Sequence, residues 1–425
     1  MQDPTTWDWE VGQRVVAETG TWRQDFAYIE ELYVSPDGEK AAAIVRNAEG
    51  EFSACVNGTV WESTFDKIWY LRFGPDNRLT GLVSEAGEWT VAVDGQAWDN
   101  RFEYTWDTRF GCDGRHISVA AQKERSYFAV TDDTPWTEGF FALSGFTVSS
   151  DGRRAAAAVQ TVAFNEGEIF KFQEGCYTVA VDGTPWERNF INVWEIAFDP
   201  EGRRAAAEVR TTLYDYTIAV DGTCWDRQYA SVWKPVFSPR DGSVTAPVRT
   251  AGAWTLARDG HPFWDCSFVQ LWHHAYSPDG DRIAAIVAPK FGQWTIAVDG
   301  TPWTRTFGEL VTDAIFSPDG RRVACVGKDR GRWWVMVDGT AWSESFDMVW
   351  QPVFSPDGSH VAVRTEKGGQ RRIYVDGRLV EEPCREVWDP VFSPDGQNLL
   401  VRAIVGEGTE EKYCRHVLPL TTILR

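Results

Sequence analysis

Runs of five to seven β-branched and aromatic residues, each bounded by turn residues, recur along this 425-residue chain and predict β-strands. The segment 338–377 shows the pattern. Asp338-Gly339 is a tight turn, and strands are expected over 340–346, 349–354, 360–364 and 372–375 before Asp376-Gly377 restarts the cycle. Ser355-Pro356-Asp357-Gly358 separates the second strand from the third. In such a turn Pro presets φ, Asp bonds its own nearby backbone, and Gly accepts a positive φ. Asp-Gly between apolar strands is a strong hairpin signal.

Both turns repeat. The first set falls at Gly38, Asn77, Gly114, Gly152, Gly202, Gly242, Gly280, Gly320, Gly358 and Gly396, at intervals of 37 to 40 residues except for one of 50. The second falls at Gly58, Gly95, Asp133, Gly183, Gly222, Gly260, Gly300, Gly339 and Gly377. A fixed period with two tight turns and four strands per unit is the signature of a propeller blade. The predicted fold is therefore all-β, a β-propeller of about ten four-stranded blades, forming one domain over 1–425. Two five-bladed propellers are the alternative. After the tenth turn, strands are expected over 398–405 and 413–418 with no Asp-Gly to follow. The segment 18–26, with Trp22 and Phe26, is expected to supply the missing strand and close the fold by joining the two termini.

The 23 tryptophans sit at fixed places in the repeat. Nine, from Trp22 and Trp61 to Trp342, follow a turn of the second kind by two to four residues. Another comes eight residues later, at Trp69, Trp106, Trp194, Trp233, Trp272 and Trp350, with Trp388 in the last unit. A third aromatic precedes the second turn, from Phe52 and Trp89 to Trp333. Rings of this size are expected to fill the wedges between neighbouring sheets. The competing reading is rings lining a face for sugar stacking or electron tunnelling.

The long interval comes from an insertion at 160–176. It carries Phe164, Phe170 and Phe172 and is expected as a loop between a blade's third and fourth strands, a candidate partner-binding element. The residue after the second tryptophan varies: Tyr70, Asp107, Glu195, Lys234, His273, Gln351, Asp389. Asp107, Glu195, Lys234, His273, Gln351 and Asp389 are the candidate rim of a central mouth, either solvated or ligand-binding.

Charge and composition narrow the partners. A net charge of −20 disfavours nucleic acid and anionic lipid. The eight cysteines are scattered without CxxC spacing, which disfavours haem attachment and thiolate-ligated metal. The first ten residues lack the apolar core of a secretory signal, and no apolar run is long enough for a membrane span. A cytoplasmic location is the resulting expectation, with free thiols. No P-loop, nucleotide-binding glycine fingerprint or nucleophile elbow occurs. His273 and His274 are adjacent on an expected strand, so they point to opposite faces and do not chelate one metal together. No enzyme activity and no cofactor are expected.

The segments 316–324 (Phe-Ser-Pro-Asp-Gly-Arg-Arg-Val-Ala) and 354–362 (Phe-Ser-Pro-Asp-Gly-Ser-His-Val-Ala) resemble the blade motif of WD40-like propellers of the TolB type. The Val-Asp-Gly-Thr-Pro-Trp element at 181–186 and 298–303 departs from that family. In tryptophan content and acidity the chain is similar to the tryptophan-rich TmcD subunits of the Tmc transmembrane electron-transfer complex of sulfate-reducing bacteria. That resemblance implies a cytoplasmic-side accessory subunit without a redox centre. Its implied partners are a membrane cytochrome b, an iron–sulfur protein and a multihaem cytochrome c, and it would associate with the membrane through them. A non-catalytic scaffold is the first expectation, a small-ligand or glycan-binding propeller the second, and a propeller enzyme the third.

Overall fold

A computed structural model of the chain describes residues 4–165, 167–380 and 384–424. The fold is all-β: ten antiparallel sheets with the four-stranded blade order of a β-propeller. The chain divides into two compact units, Met1–Thr105 with Ser317–Arg425, and Trp106–Phe316. In chain order the first two and last two sheets lie in the first unit, and the third to seventh in the second.

The fifth sheet is representative. Its strands are Asn192–Phe198, Ala205–Arg210, Tyr216–Val220 and Thr223–Cys224, paired in that order. The second strand, Ala-Ala-Ala-Glu-Val-Arg, is buried through its first five residues, so it packs on both faces. Small alanines at such positions let adjacent sheets approach. The cores lie between consecutive sheets: Ala206 and Ile218 of the fifth pack with Val232, Phe237 and Val248 of the sixth.

Turn chemistry explains the period. In the first turn the serine is buried, and its hydroxyl donates to the turn aspartate at 2.5–2.6 Å, as in Ser149–Asp151, Ser317–Asp319 and Ser355–Asp357. In the second turn the aspartate and glycine both have positive φ, for example Asp221 at 48° and Gly222 at 82°. Two successive positive φ values define a type I′ hairpin, whose twist matches that of the flanking strands. The same Asp221 accepts the N–H of Ala205 at 2.9 Å, tying the turn to the start of the second strand. Arginines then link blades. Arg154 pairs with Asp182 at 2.8 Å and donates to the carbonyl of Gly202 in the next sheet at 3.1 Å; Arg322 does the same with Asp338 and Gly358.

Four expectations need correction. The blades are cut differently: after Asp338-Gly339 the strand is only Thr340–Ala341, the outer fourth strand of the preceding sheet. Phe346 makes a single bridge to Trp333 before the next sheet begins. The insertion consequently joins a second strand to a third, and it holds a short helix, Ile169–Glu174. The closing strand is Gly12–Ala17, which pairs with Lys412–Pro419, whereas Thr19–Asp25 is helical. Finally, the tryptophans fill the wedges only in part: Trp225, Trp254 and Trp264 are buried in the cores between sheets, whereas Trp69, Trp194 and Trp233 are exposed. Phe65, Phe102, Phe190 and their counterparts, four residues after the first tryptophan, are further large rings buried there. The first tryptophan also lies over the next sheet's Asp-Gly turn. Trp186 covers Gly222, Trp225 covers Gly260, and Trp342 covers Gly377.

Candidate functional site

Several second tryptophans pack inside their own sheet on the aromatic that opens the third strand, stacked at Trp194, Trp233 and Trp272, tilted at Trp69 and edge-on at Trp106. Ring centroids are 4.7 Å apart for Trp272–Trp294 and Trp69–Trp89, 5.3 Å for Trp233–Trp254 and 6.2 Å for Trp194–Tyr216. One face of these indoles stays open: Trp69, Trp194 and Trp233 are all exposed.

The residue after each second tryptophan is placed by a bulge. Tyr70, Asp107, Glu195, His273 and, after Thr312, Asp313 have φ between 39° and 56°. The pairing shifts there, between Trp69 and Arg72, Trp194 and Ala197, and Trp272 and Ala275. Such a bulge leaves one residue unpaired and re-aims its side chain. Lys234, Gln351 and Asp389 each precede a proline, which bars helical backbone at the preceding residue. In those sheets the first strand breaks into two-residue pieces, such as Ser231–Val232 and Val236–Phe237.

Of the candidate rim, Glu195, Lys234 and His273 come together. They line one cavity of about 880 Å³ with Trp233, Trp272, His274 and Asp313. Glu195 and Trp233 also form a wall of a second cavity of about 330 Å³, with Trp194, Glu208, Tyr216 and Ser231. Both lie wholly in the second unit. Asp107 is engaged by Arg109 at 2.9 Å. Asp389, in the first unit, pairs with Arg364 at 3.1 Å, and Gln351 in that unit is exposed.

Burial sets the electrostatics. His274 is buried while its neighbour His273 is exposed, as strand alternation predicts, although both reach the large cavity. Burial pulls His274 down to about 4, and its Nε2 lies 2.8 Å from Thr245 Oγ1. Burial raises Asp313 above the usual carboxylate range. Glu208 is 6% exposed, and burial, aided by Glu195, pushes it up to about 8. Sequence reading passed over Glu208. Its one signal is a charge within an alanine run where other sheets place Leu82, Ala158 or Ile286 opposite the bulge. Among the described residues no three His, Cys, Asp or Glu side chains gather to hold a metal.

The insertion phenylalanines divide. Phe164 packs against Phe172 at 5.7 Å and Tyr177 at 6.4 Å, and both phenylalanines are half-buried. Only Phe170 stands out, 80% exposed. Sequence reading missed its equivalents: Tyr214, 80% exposed, and Phe291, 92% exposed, at hairpins joining second to third strands in the fifth and seventh sheets. Phe141 and Val269, also exposed, are hydrogen-bonded to the ends of second strands and so share that end of their blades. No helix among the described residues is long and apolar enough to cross a membrane.

No described protein family matches the chain, and no curated protein matches it. Among solved structures, a eukaryotic initiation factor is similar at 11% identity and a TM-score of 0.47, with 82% of this chain and 96% of that one covered. The Dos1 propeller is similar at 11% identity and a TM-score of 0.38, with 86% and 94% covered. At that level the fold assignment rests on this chain's own ten sheets and turn chemistry.

Proposed function

We propose that this protein is a docking platform, and specifically an accessory subunit of a membrane-bound electron-transfer complex of the Tmc type. The observation that carries the docking role is the placement of Phe141, Phe170, Tyr214, Val269 and Phe291. All are exposed, all belong to the second unit, and all lie at the hairpin end between second and third strands. The opposite end of each blade is occupied by the Ser-Pro-Asp-Gly turns, which contact one another from sheet to sheet, as Gly202 does with Ser149. Single exposed apolar residues need no explanation, but five gathered at one end of one unit form a candidate interaction surface. Rigid blades present such a surface without paying ordering entropy on binding.

The resemblance to TmcD subunits supplies the partners: a membrane cytochrome b, an iron–sulfur protein and a multihaem cytochrome c. The chain's −20 charge favours basic patches on whichever of them it meets. Purification of the native protein in mild detergent tests the reading. Co-elution with haem-staining subunits is expected, and the triple variant F170S/Y214S/F291S should elute free of them. A wild-type protein that elutes alone overturns the proposal.

A further inference from the structure

The 330 Å³ cavity has features that protein docking does not require. Its walls are two open indoles, Trp194 and Trp233, with Tyr216 stacked behind Trp194 at an interplanar angle of 24°. Two carboxyl groups line it, from Glu195 and Glu208. Lys234 Nζ lies 4.0 Å from Glu195 Oε2 and offsets that charge. Glu208 is different: it is more than nine-tenths buried, lines the cavity, and has no hydrogen-bond partner among the described residues. A buried polar group without a partner is costly, and native chains keep few of them. Two other sheets place a charge at this position, and each gives it protein partners, although Nε of both arginines lacks a hydrogen bond. Arg364 pairs with Asp389 and lies over Trp350, and Arg402 donates to the Ser35 carbonyl.

We propose that this cavity is a binding site for a small alkylated ammonium ion, held between the indole faces of Trp194 and Trp233 and neutralised by Glu208. Aromatic faces attract such cations through the ring quadrupole. With Lys234 set against Glu195, Glu208 is the carboxyl left for the ligand; burial keeps its proton on in the free protein, and a bound cation ionises it, the proton leaving to solvent. The volume suits a small molecule. A sugar fits less well: the wall has only two hydroxyls, on Tyr216 and Ser231, and that of Ser231 already donates to the Ala230 carbonyl at 2.7 Å. An anion would meet Glu208, and a divalent metal lacks a third ligand.

Calorimetry on the full chain with choline, its neutral isostere 3,3-dimethylbutanol, and glucose tests the site. Choline is expected to bind saturably and the isostere at least about tenfold more weakly. Glu208→Gln should weaken choline at least tenfold while circular dichroism and the melting temperature show a folded protein. Trp233→Leu should weaken it similarly through loss of the ring, whereas the docking variant F170S/Y214S/F291S should leave it unchanged. Isostere or glucose binding as tight as choline overturns the proposal. So does choline binding indifferent to both cavity substitutions, or no saturable choline binding into the millimolar range.

Discussion

Arg402, on the second strand of the last sheet, donates a 2.9 Å hydrogen bond from Nη1 to the carbonyl of Ser35, 367 residues earlier in the first sheet. Two neighbours repeat the contact on the same turn. Tyr413 donates its hydroxyl to the Gly38 carbonyl at 3.1 Å, and Arg415 Nε donates to the Asp37 carbonyl at 3.0 Å. All three side chains are buried. The last sheet is thus attached to the first by side chains reading backbone carbonyls. Arg402→Leu removes the charged donor from the Ser35 carbonyl, which keeps only the Gly38 N–H, and the expected loss is about 3 kcal/mol in urea unfolding. Tyr413→Phe removes one neutral bond and should cost about 1 kcal/mol. An Arg402→Leu protein as stable as wild type would show that the attachment is made by packing alone.

The strand Gly12–Ala17 covers the backbone edge of Lys412–Pro419. Without it the last sheet ends in a strand of eight residues whose outward N–H and C=O groups have no partner, an invitation to intermolecular pairing. Removal of residues 1–17 should lower the melting temperature and produce aggregates on size-exclusion chromatography. Adding a peptide of the sequence 10–18 in excess should restore part of the loss by refilling the edge. A truncated protein that stays monomeric with an unchanged melting curve would refute the role given to this strand.

That strand also marks where sequence reading stopped. Period, turn chemistry and sheet composition were legible, because Asp-Gly and Ser-Pro-Asp-Gly have narrow backbone requirements and recur in register. The phase of the blade was not. The outer strand is two residues long, as at Thr340–Ala341, too short for any alternation to show. Gly12–Ala17 reads Gly-Gln-Arg-Val-Val-Ala with only Ala17 buried, so it carries no alternating apolar stripe either. Trp22 and Phe26 drew attention to 18–26 because they copy the Trp–Phe spacing of the other units. In those units that spacing lies after the outer strand, and here it does too. Three of the six rim candidates meet in one cavity because they follow consecutive second tryptophans in the fifth to seventh sheets. Glu208 was illegible for a different reason: its partner residue Trp194 is defined by strand register, which a bulge shifts.

Gly260 and Gly292 separate backbone strain from packing. Both have positive φ, 86° and 68°. A Cβ at Gly260 would sit 3.2 Å from Trp225 Cβ, tighter than ordinary van der Waals contact, whereas a Cβ at Gly292 meets open space. Gly292→Ala should therefore cost about 1 kcal/mol, the left-handed backbone penalty alone. Gly260→Ala should cost that and a further 1–3 kcal/mol or so, because Trp225 must shift in a packed setting. Equal losses for the two variants would show that the indole yields freely and does not hold the two sheets together.

Two buried groups, on the fifth and seventh sheets, give the protein opposite pH limits. Glu208 holds its proton up to about 8 in the folded state but loses it near 4.5 when unfolded. Between those values the folded state binds more protons, so stability falls as pH rises through the window. The full effect, reached above pH 8, is at most about 5 kcal/mol. His274 acts in the reverse sense. Its folded value of about 4 lies below the ordinary 6.5, so the unfolded state binds the extra proton and stability falls as pH drops from 6.5 towards 4. The turn aspartates Asp241 and Asp357, held near 2 by serine hydroxyls and backbone N–H groups, contribute only at lower pH and leave that window to His274. Unfolding free energy measured from pH 4.5 to 9.5 should therefore peak on the acid side of neutrality. Glu208→Gln should flatten the alkaline limb and leave the acid limb intact, and His274→Asn should do the opposite. An alkaline slope that persists in Glu208→Gln would mean that Glu208 is already ionised in the fold, with a counter-charge close enough to stabilise it.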